Sequence, residues 1–314
     1  MYFHSRHHPV SAIFISVKRI VQSRIIVVIG VVLLVLITAV GLIVASGVRT
    51  VIADIIKADA AWLLLIIGAQ SFAYWSYVVP YKYVFNISYR DALKHSFEGF
   101  HPFRPGGGFV YDFKCHKSVR GRARVIYLGL WEYAALAPAI LIAAIYAYFY
   151  KLIPSQVSLP WIIGVPAGAI LFLLLLSFRS HIHNHPKTKK TLNVIHQMLV
   201  KENLRHTLIL LSGMAFYWIG EVFSLYGALK LFDINLGWIA LLIAYASGYL
   251  ITRRSLPLGG AGVILLTLSL ALHVVGLALP VAVLSAMTYQ IANLIVPMVY
   301  RRLLPLNSAL SFNR

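Results

Sequence analysis

Residues 255–300 form a run of 46 residues without a Lys, Arg, Asp or Glu. A helix that crosses a bilayer takes about 20 predominantly apolar residues. The run is therefore too long for one crossing and long enough for two, and Pro280 stands near its middle, where a helical hairpin would turn. The same kind of segment recurs along the chain. Residues 25–48, 60–81, 152–178 and 234–252 carry no charge, 125–149 is broken only by Glu132, and 207–229 only by Glu221. With 60% hydrophobic and 12% charged residues and a mean hydropathy of +0.80, against about 25% charged in ordinary soluble domains, the chain is an integral membrane protein. The reading is an all-α polytopic protein of about eight transmembrane helices, at 25–46, 60–79, 125–149, 160–178, 207–229, 236–252, 263–279 and 281–300. Those at 236–252 and 263–279 are the shortest. The lone Cys115 excludes an intramolecular disulfide and any CxxC metal or redox site.

A net charge of +19 would suggest nucleic acid in a soluble protein; in a membrane protein it reports topology. With eight spans, both termini and the connections at 80–124, 179–206 and 253–262 share one side, and that side holds 24 of the 28 Lys and Arg. Positive residues collect on the cytoplasmic side, so the expectation is a multi-pass protein of the prokaryotic cytoplasmic (inner) membrane with both termini cytoplasmic. The first span is too long for a signal-peptide core and is followed by Arg49, which reads as an uncleaved anchor. Three regions follow: 1–24, a basic cytoplasmic or interfacial segment; 25–303, one transmembrane domain; and 304–314, a short cytoplasmic tail. The segment 90–113, which mixes Phe97, Phe100, Phe103, Phe109 and Tyr111 with charges, reads as embedded in the headgroup layer. The 18 Tyr and 6 Trp read mostly as interfacial belts, with Trp62, Trp161 and Trp238 at outer ends.

Two turns share a pattern. Arg104-Pro105-Gly106-Gly107-Gly108 lies in the long connection after the second span, and Arg253-Arg254 precede Pro257-Leu258-Gly259-Gly260-Ala261-Gly262 in the connection after the sixth. Both stand between the second and third helix of a half, which is compatible with a 4+4 parallel repeat. Pro stops a helix and removes a donor, while successive glycines allow close backbone approach. Such backbone at the membrane edge is tolerated where it is buried or lines a wet cavity. With free N–H groups at the next helix start and arginines beside them, these turns form candidate anion sites; simple tight turns are the structural alternative.

The residues Gly99-Phe100-His101-Pro102-Phe103-Arg104-Pro105-Gly106-Gly107-Gly108-Phe109 with Asp112, then Trp131-Glu132-Tyr133-Ala134-Ala135-Leu136-Ala137-Pro138-Ala139, and finally residues 256–263, resemble the lysylphosphatidylglycerol synthase transmembrane-region family, also called the flippase-like domain family. The likeness covers roughly 25–303. It implies a polytopic protein that moves lipids between leaflets. Some relatives fuse this region to an aminoacyl-transferase; only a short tail follows the last span here, so lipid aminoacylation is not expected of this chain. One departure stands out: Leu265 occupies the place where the family pattern usually has a Glu.

Glu132 and Glu221 are the only acids inside the expected spans. Ionisable groups there cost about 2.5–3.5 kcal/mol on insertion scales and face a bundle interior or a water-filled path. Counted from the helix starts, they lie roughly 10 Å and 21 Å deep, which does not require them to be partners. They read as proton-titrating sites, as ligands for a lipid amine, or as structural hydrogen-bond acceptors for tyrosine and tryptophan donors. His181, His183 and His185 alternate within a Lys-rich connection that supplies no carboxylate or thiolate, so a solvated basic loop is expected rather than a metal site. His273 reads as a packed or hydrogen-bonded residue, with Gln290 and Asn293 as candidate partners. No Walker, dinucleotide, zinc-helix or nucleophile-elbow pattern occurs, so neither an enzyme nor a cofactor is expected. The leading expectation is a lipid translocator in which Arg104, Pro105, Gly106, Gly107, Gly108, Arg253, Arg254, Gly259, Gly260 and Gly262 receive an anionic headgroup. Its partners would be membrane lipids and an envelope lipid-modifying enzyme, not nucleic acid. The alternatives are a proton-coupled secondary transporter of a small solute and a non-transporting accessory protein of an envelope enzyme.

The expected orientation has a direct test, because Cys115 is the sole thiol and falls in the 80–124 connection. A membrane-impermeant maleimide will leave intact spheroplasts unlabelled and label inside-out vesicles. The reverse pattern overturns the orientation.

Overall fold

The computed structural model describes residues 59–99, 118–181, 186–250 and 261–303. Nine α-helices run through them: α1 (Trp62–Phe85), α2 (Tyr89–Gly99), α3 (Val119–Phe149), α4 (Ser155–Ser177), α5 (Pro186–Lys201), α6 (Leu204–Lys230), α7 (Trp238–Tyr245), α8 (Ala261–Val274) and α9 (Leu279–Leu303). Five of them, α1, α3, α4, α6 and α9, are long and apolar enough to cross a membrane. The helices α7 and α8 are shorter. A π-helical turn, Ala246–Leu250, extends α7, and the two together measure about 20 Å at 1.5 Å per residue, short of a 30 Å hydrocarbon core. Each described helix falls on an expected span except α2 and α5. The expected span at 25–46, the basic segment 1–24 and the tail 304–314 lie outside the described residues, as do residues 100–113.

The pairing of α1 with α6 organises the bundle. Gly213, Gly220 and Gly227 stand seven residues apart on α6, and Pro80, Ala73 and Ile66 stand seven apart on α1, meeting them in antiparallel order. A Cβ placed on Gly220 would lie 2.6 Å from the Ala69 carbonyl oxygen and 2.8 Å from Ala73 Cβ; one on Gly213 would lie 2.5 Å from Pro80 Cγ. Membrane helices have no water-driven collapse between them, so small residues that bring backbones together are the means of association. A seven-residue repeat keeps such a seam facing its partner along the whole contact.

Around this pair lie α3, α7 and α9, with α8 packed on α9 and on the π turn. Gly248 in that turn sits so close to α8 that a Cβ would be 2.5 Å from Leu268 Cα. By contrast α4 is peripheral: only Ser158 and Leu176 of its 23 residues are buried. The hairpin into α9 turns at Gly276, whose φ of +110° suits a residue without Cβ, and Pro280 takes the second position of the helix, where its missing N–H costs nothing.

The two ends of the bundle differ. At one end Trp62, Tyr226, Phe223 and Trp238 form a ring cluster, with Tyr226 stacked on Trp238 at 4.6 Å, as a belt reading requires. Elsewhere that reading fails: Tyr74, Tyr77, Tyr81, Tyr127, Tyr217, Tyr245 and Tyr289 are buried, because a bundle core uses rings that fill volume and still carry a hydroxyl to satisfy. At the opposite end lie α2, within the segment read in sequence as embedded in the headgroup layer, and α5, which replaces what reads in sequence as connecting loop. The segment Tyr89–Gly99 packs on α1 and α9, with Tyr89 stacked on Trp75; partial burial raises its phenol above the ordinary value. On α5, Leu192, Ile195, Met198 and Leu199 pack inward while Lys187 and Lys190 are exposed.

A glycine inside the seam and one outside it face opposite demands. Gly220→Ala will lower stability by about 1–3 kcal/mol, the usual cost of overpacking. Gly68→Ala, where a Cβ meets nothing within 4 Å, will be neutral or gain up to about 1 kcal/mol of helix propensity. Thermal unfolding of the purified protein in detergent, followed by circular dichroism, compares them.

Candidate functional site: a polar cluster inside the bundle

The glycine seam brings α1 close enough to α6 for polar side chains of the two helices to meet inside the bundle. Gln70 of α1, Glu221 of α6 and Tyr289 of α9 are fully buried. Both carboxylate oxygens of Glu221 are engaged: Gln70 Nε2 donates to Oε1 at 3.2 Å and the Tyr289 hydroxyl donates to Oε2. The amide nitrogen of Gln70 also donates to Asn293 Oδ1 at 3.2 Å, using its two hydrogens on two acceptors. Tyr74 donates to the same Asn293, to its carbonyl at 2.9 Å and to its Oδ1. Three helices are thus tied through one carboxylate. In a low-dielectric interior each of these bonds is strong and each missing one is expensive. Gln70 Oε1, and Ser224 Oγ one turn beyond Glu221, are buried without a hydrogen-bond partner among the described residues.

Glu132, only 1% exposed, lies on α3 against α6, where Trp218 Nε1 donates to its backbone carbonyl at 2.7 Å. Trp218 is one turn from Glu221, and its ring contacts Tyr245 at 6.0 Å, which contacts Tyr289 at 6.3 Å. The two carboxylates occupy neighbouring parts of one aromatic-walled core. Because α3 begins at Val119, six residues before the expected start, Glu132 lies about 20 Å along it.

On the outer side of the same turn, Trp131 and Tyr133 line a laterally open apolar cleft of about 560 Å³ between α3 and α4. A second cleft, of about 520 Å³, runs along α4 towards α8. Both include Trp161, Gly164 and Val165. Trp161 also donates to Ser247 Oγ at 2.9 Å, so this tryptophan anchors α4 to the π turn.

Of the residues singled out in sequence, Glu132 and Glu221 are both buried inside the bundle. His273 is hydrogen-bonded, but to the Leu277 carbonyl at 2.7 Å and not to Gln290 or Asn293; Asn293 belongs to the Glu221 cluster instead. Leu265 is buried in the core. Gly262 lies in the first turn of α8, whereas Arg104, Pro105, Gly106, Gly107, Gly108, Arg253, Arg254, Gly259 and Gly260 lie outside the described residues. His181 closes a 3-10 turn, Phe178–His181; His183 and His185 lie outside the described residues, among which no three His, Cys, Asp or Glu side chains group as metal ligands. Sequence reasoning missed Gln70, whose signal was present: an amide inside a charge-free span has to find an intramembrane partner.

The fold and the buried acids define a polytopic helical membrane protein with a polar core. The family model for the lysylphosphatidylglycerol synthase TM region matches residues 25–300, and the chain belongs to that family. No curated protein and no solved structure matches it.

The cluster predicts a measurable dependence on one hydroxyl. Tyr289→Phe removes a donor from a buried carboxylate and will cost about 1–3 kcal/mol in detergent unfolding. If Tyr289→Phe unfolds with the wild-type midpoint, the bond to Glu221 contributes nothing.

Proposed function

We propose that this protein moves an anionic phospholipid or glycolipid between the leaflets of the prokaryotic cytoplasmic membrane, without nucleotide hydrolysis of its own. The observation that carries the reading is the two-sidedness of one turn of α3: Trp131 and Tyr133 line an apolar cleft between α3 and α4, while Glu132 between them is buried in the bundle. A lipid in transit has the same division. Its tails stay in hydrocarbon while its headgroup needs polar partners at depth, and intramembrane ionisable groups mark such routes. Membership of the lysylphosphatidylglycerol synthase TM family supports the same substrate class. In this scheme Arg104, Arg253 and Arg254 with the adjoining Gly-rich turns gather the headgroup at the cytoplasmic face, and Glu132 and Glu221 line the polar route.

Reconstitution in liposomes with fluorescently labelled lipids tests it. Leaflet exchange of labelled phosphatidylglycerol will be accelerated over protein-free liposomes, and Glu132→Gln and Arg104→Ala will each slow it at least several-fold. No acceleration for any anionic lipid overturns the proposal. Uptake of a solute driven by a pH gradient, lost in Glu221→Gln and accompanied by no lipid exchange, would replace it with a secondary transporter.

A further inference from the structure

The end of the bundle opposite the Trp62 cluster holds a pocket of about 330 Å³, where the C-terminus of α1, the N-termini of α3 and α6 and the end of α5 converge. We propose that it is a phosphate-binding site that takes the headgroup of an anionic phospholipid. This rests on the translocator reading for its substrate class, although its binding chemistry stands apart from transport.

The first support is charge. Arg120, Arg124, Lys201 and His206 line the pocket, and Glu202 is the acid among its lining residues. Arg120 and Arg124 are four residues apart, so they occupy one face of α3 as adjacent like charges, and an anion between them relieves that repulsion. Glu202 is already committed: it accepts from the buried Tyr127 hydroxyl and its other oxygen is 4.0 Å from His206 Nδ1. Its charge is thus held at one wall. Arg124 is partly tethered, donating from Nη1 to the Phe85 carbonyl at 3.2 Å, which fixes the guanidinium and leaves its remaining N–H groups for an oxyanion. Guanidinium groups suit phosphate because their planar donors match two oxygens at once.

The second support is the backbone. Arg120 stands in the first turn of α3 and His206 in the first turn of α6, so two positive helix ends add to the side-chain charge. Ser118 and Asn203 cap these helices, each accepting one backbone N–H, from Gly121 and His206.

The third support is shape. Beneath the cationic mouth the lining turns apolar, with Val84, Val194, Met198 and Leu210. A pocket with cations at the rim and aliphatic side chains below fits an amphiphile whose phosphate precedes its hydrocarbon. The amphipathic α5, with Lys187 and Lys190 exposed, sets the pocket at headgroup level, where anionic lipids concentrate near basic residues. Free phosphate shares the recognised chemistry, and the experiment separates the two.

Full-length protein in nanodiscs of phosphatidylcholine is titrated with dihexanoyl phosphatidylglycerol, inorganic phosphate and dihexanoyl phosphatidylcholine, and heats of binding are measured. Expected is saturable binding of dihexanoyl phosphatidylglycerol, competed by inorganic phosphate at higher concentration, with none for dihexanoyl phosphatidylcholine. Arg120→Glu, at an exposed position, will weaken it at least tenfold with an unchanged thermal midpoint; Lys187→Glu, on α5 outside the pocket, will change it less than twofold. Equal weakening by both variants, or no saturable binding, overturns the site. Binding of phosphate with none of the lipid overturns the headgroup role. Leaflet exchange that persists in Arg120→Glu at the wild-type rate overturns this pocket's loading role and leaves the translocator reading standing, whereas intact binding without any exchange overturns the translocator reading and leaves the pocket.

Discussion

Water drives helices together in a soluble protein, but a bilayer offers no such force between apolar surfaces. The bundle depends instead on close backbone approach along the seam of Gly213, Gly220 and Gly227 against Pro80, Ala73 and Ile66. The approach does more than hold two helices together. It also sets the two helices at a separation that a glutamine on α1 and a glutamate on α6 can span directly, at 3.2 Å. The polar cluster is a consequence of the seam, and once formed it reinforces it, because each of its groups would be stranded in a low-dielectric medium if the helices parted. Packing and polar satisfaction therefore select the same register, and α9 joins it through Tyr289 and Asn293.

Away from that seam the packing thins. The helix α4 has two buried residues, contains Pro160 and Pro166 and is bordered by apolar clefts on both sides. The π turn after Tyr245 adds a local departure from regular helix beside it, and such turns break the repeating hydrogen-bond ladder. Tightly and loosely packed parts are thus segregated among the described residues: the carboxylate cluster belongs to the first, and the apolar clefts to the second.

Span positions were legible in the sequence because charge-free runs and bilayer thickness are two statements of one length constraint. For the same reason the short pair was recognisable: the residues between Asp233 and Arg253 and those before Pro280 leave little helix once turns are subtracted. Amphipathic α5 was hidden by its polarity, although Leu192, Ile195 and Leu199 carry the helical spacing. Glu221 was legible as an intramembrane charge, but its partners were not. Gln70 and Tyr289 are 151 and 68 residues away in the chain, and only the glycine register brings them to it. That register was itself written in the sequence as a seven-residue repeat on two helices, visible only when the two are set side by side in opposite directions.

Helix α3 joins the features that the proposed function needs. Arg120 and Arg124 stand at its basic end, Trp131 and Tyr133 on the side of its apolar cleft, and Glu132 on its buried side. Arg124 and Glu132 are eight residues apart, a rise of about 12 Å. A headgroup leaving guanidinium groups at the membrane surface would meet a carboxylate within that distance, and a bare anion gains nothing from that exchange. Passage is favourable only for a group that also brings a donor, a hydroxyl, an amine or a shared proton, since a carboxylate in a low-dielectric core is satisfied by hydrogen bonds or an opposite charge. The order of charges along α3 therefore narrows the proposed substrate to headgroups that pair a phosphate with hydrogen-bond donors, such as glycerol, sugar or amine-bearing lipids, and selects against phosphate alone.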